Sequence, residues 1–448
     1  MDKERAFTLA SLSFAAALAG IYILWGPSSQ RTVRRRRSKG LVPGLVNLGN
    51  TCFLNAVLQA LASCPSFVLW LATLNTKIQN NKNFIDETED TASYLCTALL
   101  KTLQVLSNKK RCDSVNYTPN DVINSLKANF WVISAEEQDA HELYFVLSST
   151  LDEEISKAET TPSLNDASKM SCEVKLEKDC MTPSVLDQIP QSPFKGLLAN
   201  QLMCRNCGYK CPVKCDTFDS LSLPIPASNL GQMTLYNCLQ HFVISEVVSN
   251  VECEKCQKIT AKSKPSTFLK QLTIARLPIN LCIHIQRTVW LQNGMPMKRF
   301  DHVTYPEYLI MDDFMYKQQN PQMNSGIFKT LVGGSTNKPQ EAPTATTQLS
   351  FTPLNSNSFL MQKITEGSAI KSVRNLYQLQ AVIVHLGDVF SGHFVTYRRG
   401  PSNNSWYMTS DTEVKEVPFS EVAAAPAYVL FYEKSVESAG RNEKAMCK

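Results

Sequence analysis

The sequence predicts an α+β fold preceded by one N-terminal transmembrane helix. Three observations carry that expectation: an uncharged apolar run over residues 7–25, helical spacing of apolar residues across roughly 43–160, and short β-like runs beyond Pro193. With 44% hydrophobic and 19% charged residues, the composition is that of a globular body with an apolar addition. At 448 residues the chain holds one large domain or two ordinary ones.

Taking the chain in order, nineteen residues of helix span about 28 Å, close to a bilayer core of roughly 30 Å. Tyr22 and Trp25 fall at one interface, and Gly26-Pro27 stops the helix. A cleaved secretory signal is the competing expectation, because Ala17-Leu18-Ala19 resembles a cleavage site. Against it, the leader Asp2-Lys3-Glu4-Arg5 is charge-balanced, and the cationic cluster Arg31, Arg34, Arg35, Arg36, Arg37 and Lys39 follows the apolar run. By the positive-inside rule that cluster stays cytosolic, with the C-terminal domain behind it. The expected order is a leader (1–6), an anchor in the lipid bilayer (7–26) and a basic linker (27–42). The net charge is +5 and the cluster supplies six positive charges, so the remainder sums to about −1. A body so near neutrality does not suit a nucleic-acid partner.

Next comes Gly44-Leu-Val-Asn-Leu-Gly-Asn-Thr-Cys52, followed by Phe53, Val57, Leu58 and Leu61 at helical spacing. Cys52 thus stands where a turn-rich loop becomes a helix, whose N-terminal partial charge favours thiolate. A small buried hydrophobe is the commoner fate of a cysteine, but a Gly-Asn-Thr run is a poor start for a purely structural helix. Ser63-Cys64-Pro65 ends this helix, and further helical runs follow near 94–106 and 119–130. The run 136–147 opens acidic and turns amphipathic. Asp139 and Glu142 either cap a helix start or share a face for a cationic ligand. Residues 155–192 and 316–372 are polar, and are expected to be insertions, with a charged tail over 435–448. The β-like runs fall at 218–225, 277–286, 377–385, 392–397 and 427–432.

Fifteen cysteines, an odd number, suit a reducing compartment better than a disulfide framework. Cys204-Arg-Asn-Cys207 and Cys253-Glu-Lys-Cys256 have the knuckle spacing of a tetrahedral zinc site, structural because four thiolates leave no open position. The pairs are expected at the tips of two β-hairpins, with Cys211 and Cys215 as nearby substitutes.

A cysteine nucleophile needs a base and a group that orients it. His393 lies in Ser391-Gly-His-Phe-Val-Thr-Tyr397, where glycine permits close approach; His385 is the runner-up. His141, His241, His284 and His302 suit helix or strand surfaces. The stretch Trp406-Tyr-Met-Thr-Ser-Asp-Thr412 offers Ser410 and Asp411 as orienter, and strand alternation lets only one face the imidazole. Asn47 is placed to donate to an oxyanion.

Together these stretches resemble the ubiquitin-specific proteases, papain-like cysteine peptidases that cleave at the C-terminus of ubiquitin. The resemblance covers roughly 43–434. It rests on the Cys52 stretch, on Glu137-Gln-Asp-Ala-His-Glu-Leu143, on the two C-x-x-C pairs, on Leu277-Pro-Ile-Asn-Leu-Cys-Ile-His-Ile-Gln-Arg287, and on the His393 run closed by Ala427-Tyr-Val-Leu-Phe-Tyr432. It implies a palm and thumb around the active site, with zinc-bearing fingers gripping ubiquitin. Cys52 is implied as nucleophile, His393 as base, Asn47 as oxyanion donor, and Asp139 and Glu142 as contacts for ubiquitin's basic tail. The family usually has Asp or Asn as orienter, and alignment on Trp406 puts Ser410 there, a group without charge. A catalytically weak ubiquitin-binding scaffold is the alternative that this departure leaves open. Joined to an N-terminal anchor with a basic flank, the Cys-His-Ser set is similar to that of a family member of the outer mitochondrial membrane. This implies a cytosol-facing domain that acts on ubiquitinated membrane proteins and opposes ubiquitin-driven mitochondrial clearance. Pattern alone does not separate that membrane from the endoplasmic reticulum.

Overall fold

The structure is a computed structural model that describes residues 42–82, 94–108, 116–131, 138–160, 190–227, 232–260, 265–317, 374–400 and 405–435. The expected anchor (7–26), almost all of the basic linker, most of both insertions and the tail beyond 435 lie outside the described residues. Among the described residues no single helix is long and apolar enough to cross a membrane.

The first half is helical, as its periodicity requires: α1 (Cys52–Leu61), α2 (Pro65–Lys82), α3 (Leu95–Leu106), α4 (Asn120–Ala128) and α5 (Ala140–Thr160). All ten residues of α1 are buried, so this helix is the centre of the helical layer rather than an amphipathic cover. The chain turns by 93° between α1 and α2, where Pro65 starts the new helix as a first-turn residue that lacks only an orphan N–H. Helix α5 continues to Thr160, so the first residues of the expected 155–192 insertion are helical. Its buried Glu154 accepts from the backbone N–H groups of Leu95 (2.6 Å) and Cys96 (3.0 Å). A carboxylate from α5 thereby caps α3, whose own N-cap residue Tyr94 makes no side-chain cap.

Two short strands, β1 (Gly44–Leu45) and β2 (Asn116–Tyr117), pair in parallel beside the helices. Beyond them β3 (Gly196–Cys204) and β4 (Lys214–Phe218) form a hairpin, and β5 (Leu221–Pro224) follows. Helix α6 (Leu235–Phe242), β6 (Glu246–Val251), α7 (Glu254–Thr260) and β7 (Ser266–Arg276) come next. Then come β8 (Asn280–Gln286), the hairpin β9 (Thr288–Trp290) and β10 (Pro296–Lys298), and β11 (Tyr308–Ile310). The last elements are β12 (Leu376–Gly387), β13 (Gly392–Arg399), β14 (Trp406–Ser410), β15 (Glu413–Val417), α8 (Phe419–Ala424) and β16 (Ala427–Lys434).

Two main sheets organise most of these strands, β1-β2 and β9-β10 each pairing separately. The larger runs β15-β14-β13-β12-β16-β8-β5, with β11 also on β12; the smaller runs β4-β3-β7-β6. The expected run 218–225 is split between them. Phe218 ends a strand of the small sheet and Leu221 begins one of the large sheet, because the chain crosses over at Asp219-Ser220. The expected strand 277–286 starts only at Asn280, since Pro278 has no N–H to give a ladder.

The large sheet is buried on both faces. Ala381, Ile383, Val429 and Phe431 pack with α1–α5, while the alternating Val382, Val384, Leu430 and Tyr432 pack with α6 and α8. This period of two is what a strand imposes. Thr396 on β13 donates to the Ala56 carbonyl of α1 at 2.9 Å. The buried Arg398 guanidinium donates to Gln59 Oε1 at 2.8 Å, and Gln59 in turn donates to the Pro43 carbonyl. The helix that begins with Cys52 is thus fixed against the strand that begins with Gly392-His393.

Candidate active site

The loop before α1 is shaped by two left-handed residues, Gly49 (φ +92°) and Asn50 (φ +51°), residue types that tolerate that region. Asn47 Oδ1 accepts from Gly49 N (3.0 Å), Thr51 N (3.1 Å) and Thr51 Oγ1 (3.1 Å), which closes the loop on itself. The first intrahelical bond of α1 runs from Asn55 N to Thr51 O at 3.0 Å. Cys52 therefore lies in the first turn, at the positive end of the helix dipole, and is only 5% exposed.

Half-buried His393 is the second residue of β13, and its Nε2 lies 2.9 Å from Ser410 Oγ. Ser410 ends β14 and pairs with Glu413 across a two-residue hairpin turn, Asp411-Thr412. Asp411 takes φ +50°, as such turns demand. That turn separates two neighbours which sequence left as alternatives. Ser410 meets the imidazole, whereas Asp411 points at the Cys52 loop. Asp411 Oδ2 accepts from Asn47 Nδ2 (2.9 Å), Oδ1 accepts from Asn55 Nδ2 (2.8 Å), and its carbonyl accepts from Leu45 N (2.8 Å). The turn reaches this loop because Gly44 has no side chain. A Cβ there would stand 2.5 Å from the Thr412 carbonyl oxygen. Asn55 was missed in the sequence; its signal was an amide one helical turn after Cys52 on the same face.

His385, the alternative base, is taken up elsewhere. Its Nδ1 accepts from Lys298 Nζ at 3.1 Å, and its ring stacks on Phe394 at 4.5 Å. His141 and His284 stack on each other at 4.0 Å inside the molecule, bonded to Ser220 and Ser222. Burial lowers their pKa values to about 4 and about 3, so both are neutral at pH 7. His241 and His302 are exposed.

Asp139 does cap α5: its Oδ1 accepts from His141 N (2.7 Å) and Glu142 N (3.0 Å), and its Oδ2 accepts from the Tyr428 hydroxyl. Glu142 stays exposed on the first turn of the same helix.

The four expected cysteines converge. The sulfurs of Cys204, Cys207, Cys253 and Cys256 all lie within 4.8 Å of one another. Cys204 to Cys256 is 3.8 Å and Cys207 to Cys253 is 3.6 Å. A tetrahedron with metal–sulfur bonds of about 2.3 Å has edges of about 3.8 Å, so the donor set fits a four-thiolate metal centre. The first pair lies at the β3–β4 turn, where Gly208 takes φ +70°. The second lies in the connection between the antiparallel strands β6 and β7, as expected of a hairpin tip, and that connection carries α7. A helix start aims Cys253 and Cys256, one turn apart, to one side. Cys211 packs against the cluster and Cys215 is exposed on β4; neither belongs to the donor set.

Residues 43–432 match the family model "Ubiquitin carboxyl-terminal hydrolase". The chain is 38% identical to ubiquitin carboxyl-terminal hydrolase 30 of Xenopus tropicalis, over 94% of this chain and 86% of the relative. It is 36% identical to ubiquitin carboxyl-terminal hydrolase 30 of Homo sapiens, over 97% and 91%. Among solved structures, a chain of the SAGA Ubp8/Sgf11/Sus1/Sgf73 DUB module bound to ubiquitin aldehyde superimposes with a TM-score of 0.59. That superposition is at 21% identity and covers 95% of this chain and 76% of the other. On the strength of the family match and these relatives, the chain belongs to the ubiquitin carboxyl-terminal hydrolases and is a cysteine-type ubiquitin hydrolase.

Proposed function

We propose that this protein is a deubiquitinase held in the outer mitochondrial membrane by residues 7–26. Its catalytic domain (43–434) faces the cytosol and removes ubiquitin from membrane proteins, opposing ubiquitin-driven mitochondrial clearance. In this reading Cys52 is the nucleophile. With Nε2 engaged by Ser410, Nδ1 of His393 takes the thiol proton, giving thiolate and imidazolium. The thiolate attacks the carbonyl carbon at the C-terminal glycine of ubiquitin. The developing oxyanion accepts from the second N–H of Asn47 Nδ2 and from the first turn of α1. His393 then gives its proton to the departing lysine amine, and the resulting thioester is cleaved by water that His393 deprotonates.

The observation that carries this reading is the divided hairpin turn, with Ser410 on His393 and Asp411 on Asn47 and Asn55. Ser410 supplies orientation, and Asp411 holds the oxyanion donor. Exposed Glu142 offers a carboxylate to the basic tail of ubiquitin. Asp139 shapes the same helix start, and its remaining lone pairs serve the same ligand. The four cysteines would hold a structural zinc that braces the fingers, whose grip on the body of ubiquitin the family resemblance suggests.

The test is reaction of the chain with ubiquitin bearing an electrophilic C-terminus, followed by mass spectrometry. Labelling at Cys52, abolished by Cys52→Ala, is expected. Absence of an adduct while ubiquitin still binds would favour a silent scaffold. For the anchor, carbonate extraction of mitochondria should leave the full chain in the membrane and release a form that begins at residue 40. Release of the full chain would remove the membrane from the proposal.

A further inference from the structure

Lys298 ends β10 and is only 8% exposed, an unusual place for an ammonium. Its Nζ donates to three acceptors: His385 Nδ1 (3.1 Å), the His385 carbonyl (3.1 Å) and the Gly387 carbonyl (2.7 Å). Three N–H bonds meet three acceptors, so the charge is buried but fully solvated by protein. Because Nδ1 accepts, neutral His385 carries its proton on Nε2.

The held ring sits on both flanks of His393. On one side a Cβ at Gly392 would stand 2.3 Å from His385 Nε2, so ring and backbone are in close contact there. On the other side the ring stacks on Phe394 at 4.5 Å, with 19° between the planes. Of the carbonyls bonded by Lys298, that of His385 lies in β12 and that of Gly387 begins the tight turn 387–392. In that turn Gly387 takes φ +101° and Asp388 N donates to the Ser391 carbonyl at 2.7 Å. The base of the hairpin, where Lys298 pairs with Thr288, is also fixed. Buried Arg287 donates to the carbonyls of Ala427, Arg299 and Asp301 at 2.8, 3.1 and 2.8 Å. Lys298 therefore joins a hairpin with a fixed base to the turn and the ring that set the backbone at His393.

We infer that Lys298 is a positioning residue for the ubiquitin hydrolase reaction, acting through the His385 ring to hold His393 in register with Cys52. This rests on the assignment of Cys52 and His393 above. Nothing in the role needs Lys298 to touch substrate. Its loss lets the ring and the 387–392 turn shift, and a displacement of about 1 Å at a general base is costly to turnover.

The experiment is a double-mutant cycle of Lys298→Met and His385→Leu in the full chain, with a ubiquitin C-terminal fluorogenic substrate. Labelling of wild-type Cys52 by the ubiquitin electrophile is scored first. Its absence refutes the catalytic assignment and this inference with it. With a labelled wild type, each single variant should lose about tenfold in kcat. The double variant should lose no more than the worse single one, because the two side chains act in series. Ubiquitin affinity on a Cys52→Ala background should be unchanged by Lys298→Met, and Lys298→Arg, which keeps charge and donors, should recover part of kcat. Unchanged kcat in a folded Lys298→Met chain, or losses that multiply in the double variant, would overturn the inference alone. If Lys298→Met does not fold, Lys298→Gln closes the same cycle with the same two readings.

Discussion

Removing the Ser410 hydroxyl is the sharpest probe of how this site orients its base. Ser410→Ala deletes one neutral hydrogen bond of 2.9 Å to an imidazole that is only half-buried. Such a bond contributes about 0.5–1.5 kcal/mol net, which is about two- to thirteenfold in rate. A carboxylate in the same place would also stabilise the imidazolium, and its deletion would cost far more. The expected loss for Ser410→Ala is therefore modest and confined to kcat, since Ser410 Oγ faces His393 rather than a binding surface. Asp411→Ala is the contrast. It deletes two charge-assisted bonds, to Asn47 and Asn55, and loosens the proposed oxyanion donor. Loss of such a donor costs about 10²–10³ in kcat, which bounds the effect from above. Hydrolysis of a ubiquitin C-terminal fluorogenic substrate, with kcat and KM measured separately, decides the ranking. A loss beyond about a hundredfold for Ser410→Ala, with a smaller one for Asp411→Ala, would refute the division of roles across the turn.

Three further outcomes are expected. Cys256→Ser should abolish binding of one zinc per chain, read by metal analysis of purified protein, and should raise KM for ubiquitin far more than it lowers kcat. Phe53→Ala removes a side chain 1% exposed at the centre of the helical layer, and should lower the urea-unfolding free energy by about 3–5 kcal/mol. His141 and His284 have folded-state pKa values of about 4 and about 3, below the usual 6.5, so the unfolded chain binds more protons between those limits. Stability should thus fall as the pH drops below about 6.5, by about 2 kcal/mol per histidine between pH 7 and pH 5. His141→Gln should flatten its share of that slope in urea titrations, and an unchanged slope would mean that these imidazoles are not held neutral.

Much of the site was legible because its chemistry is local. Gly49, Asn50 and Thr51 announced a left-handed turn into a helix, and the cysteine spacings announced a four-thiolate cluster. Pairings across long separations were not legible. Nothing near His385 in the chain shows that its acceptor nitrogen is spent on a lysine 87 residues away. That contact, with the Ser410 bond made by His393, distinguishes it from His393 as a base. The roles of Ser410 and Asp411 could not be divided from alternation alone, because the tight turn, rather than the strand pleat, sets where Asp411 points. The run 218–225 looked like one strand since its apolar pattern is continuous, while sheet membership is decided by partners distant in sequence.

The Asp411-Thr412 turn also bears on how replaceable its members are. In the proposed mechanism adjacent residues serve different halves of the chemistry, so the position next to the imidazole is relieved of charge duty toward the loop. A neutral hydroxyl can stand there while the neighbouring carboxylate keeps the loop in shape. On that proposal the orienter is an exchangeable part, and its substitution should tune turnover rather than abolish it. Lengthening the turn by one residue would instead move both groups at once and disconnect base and loop together.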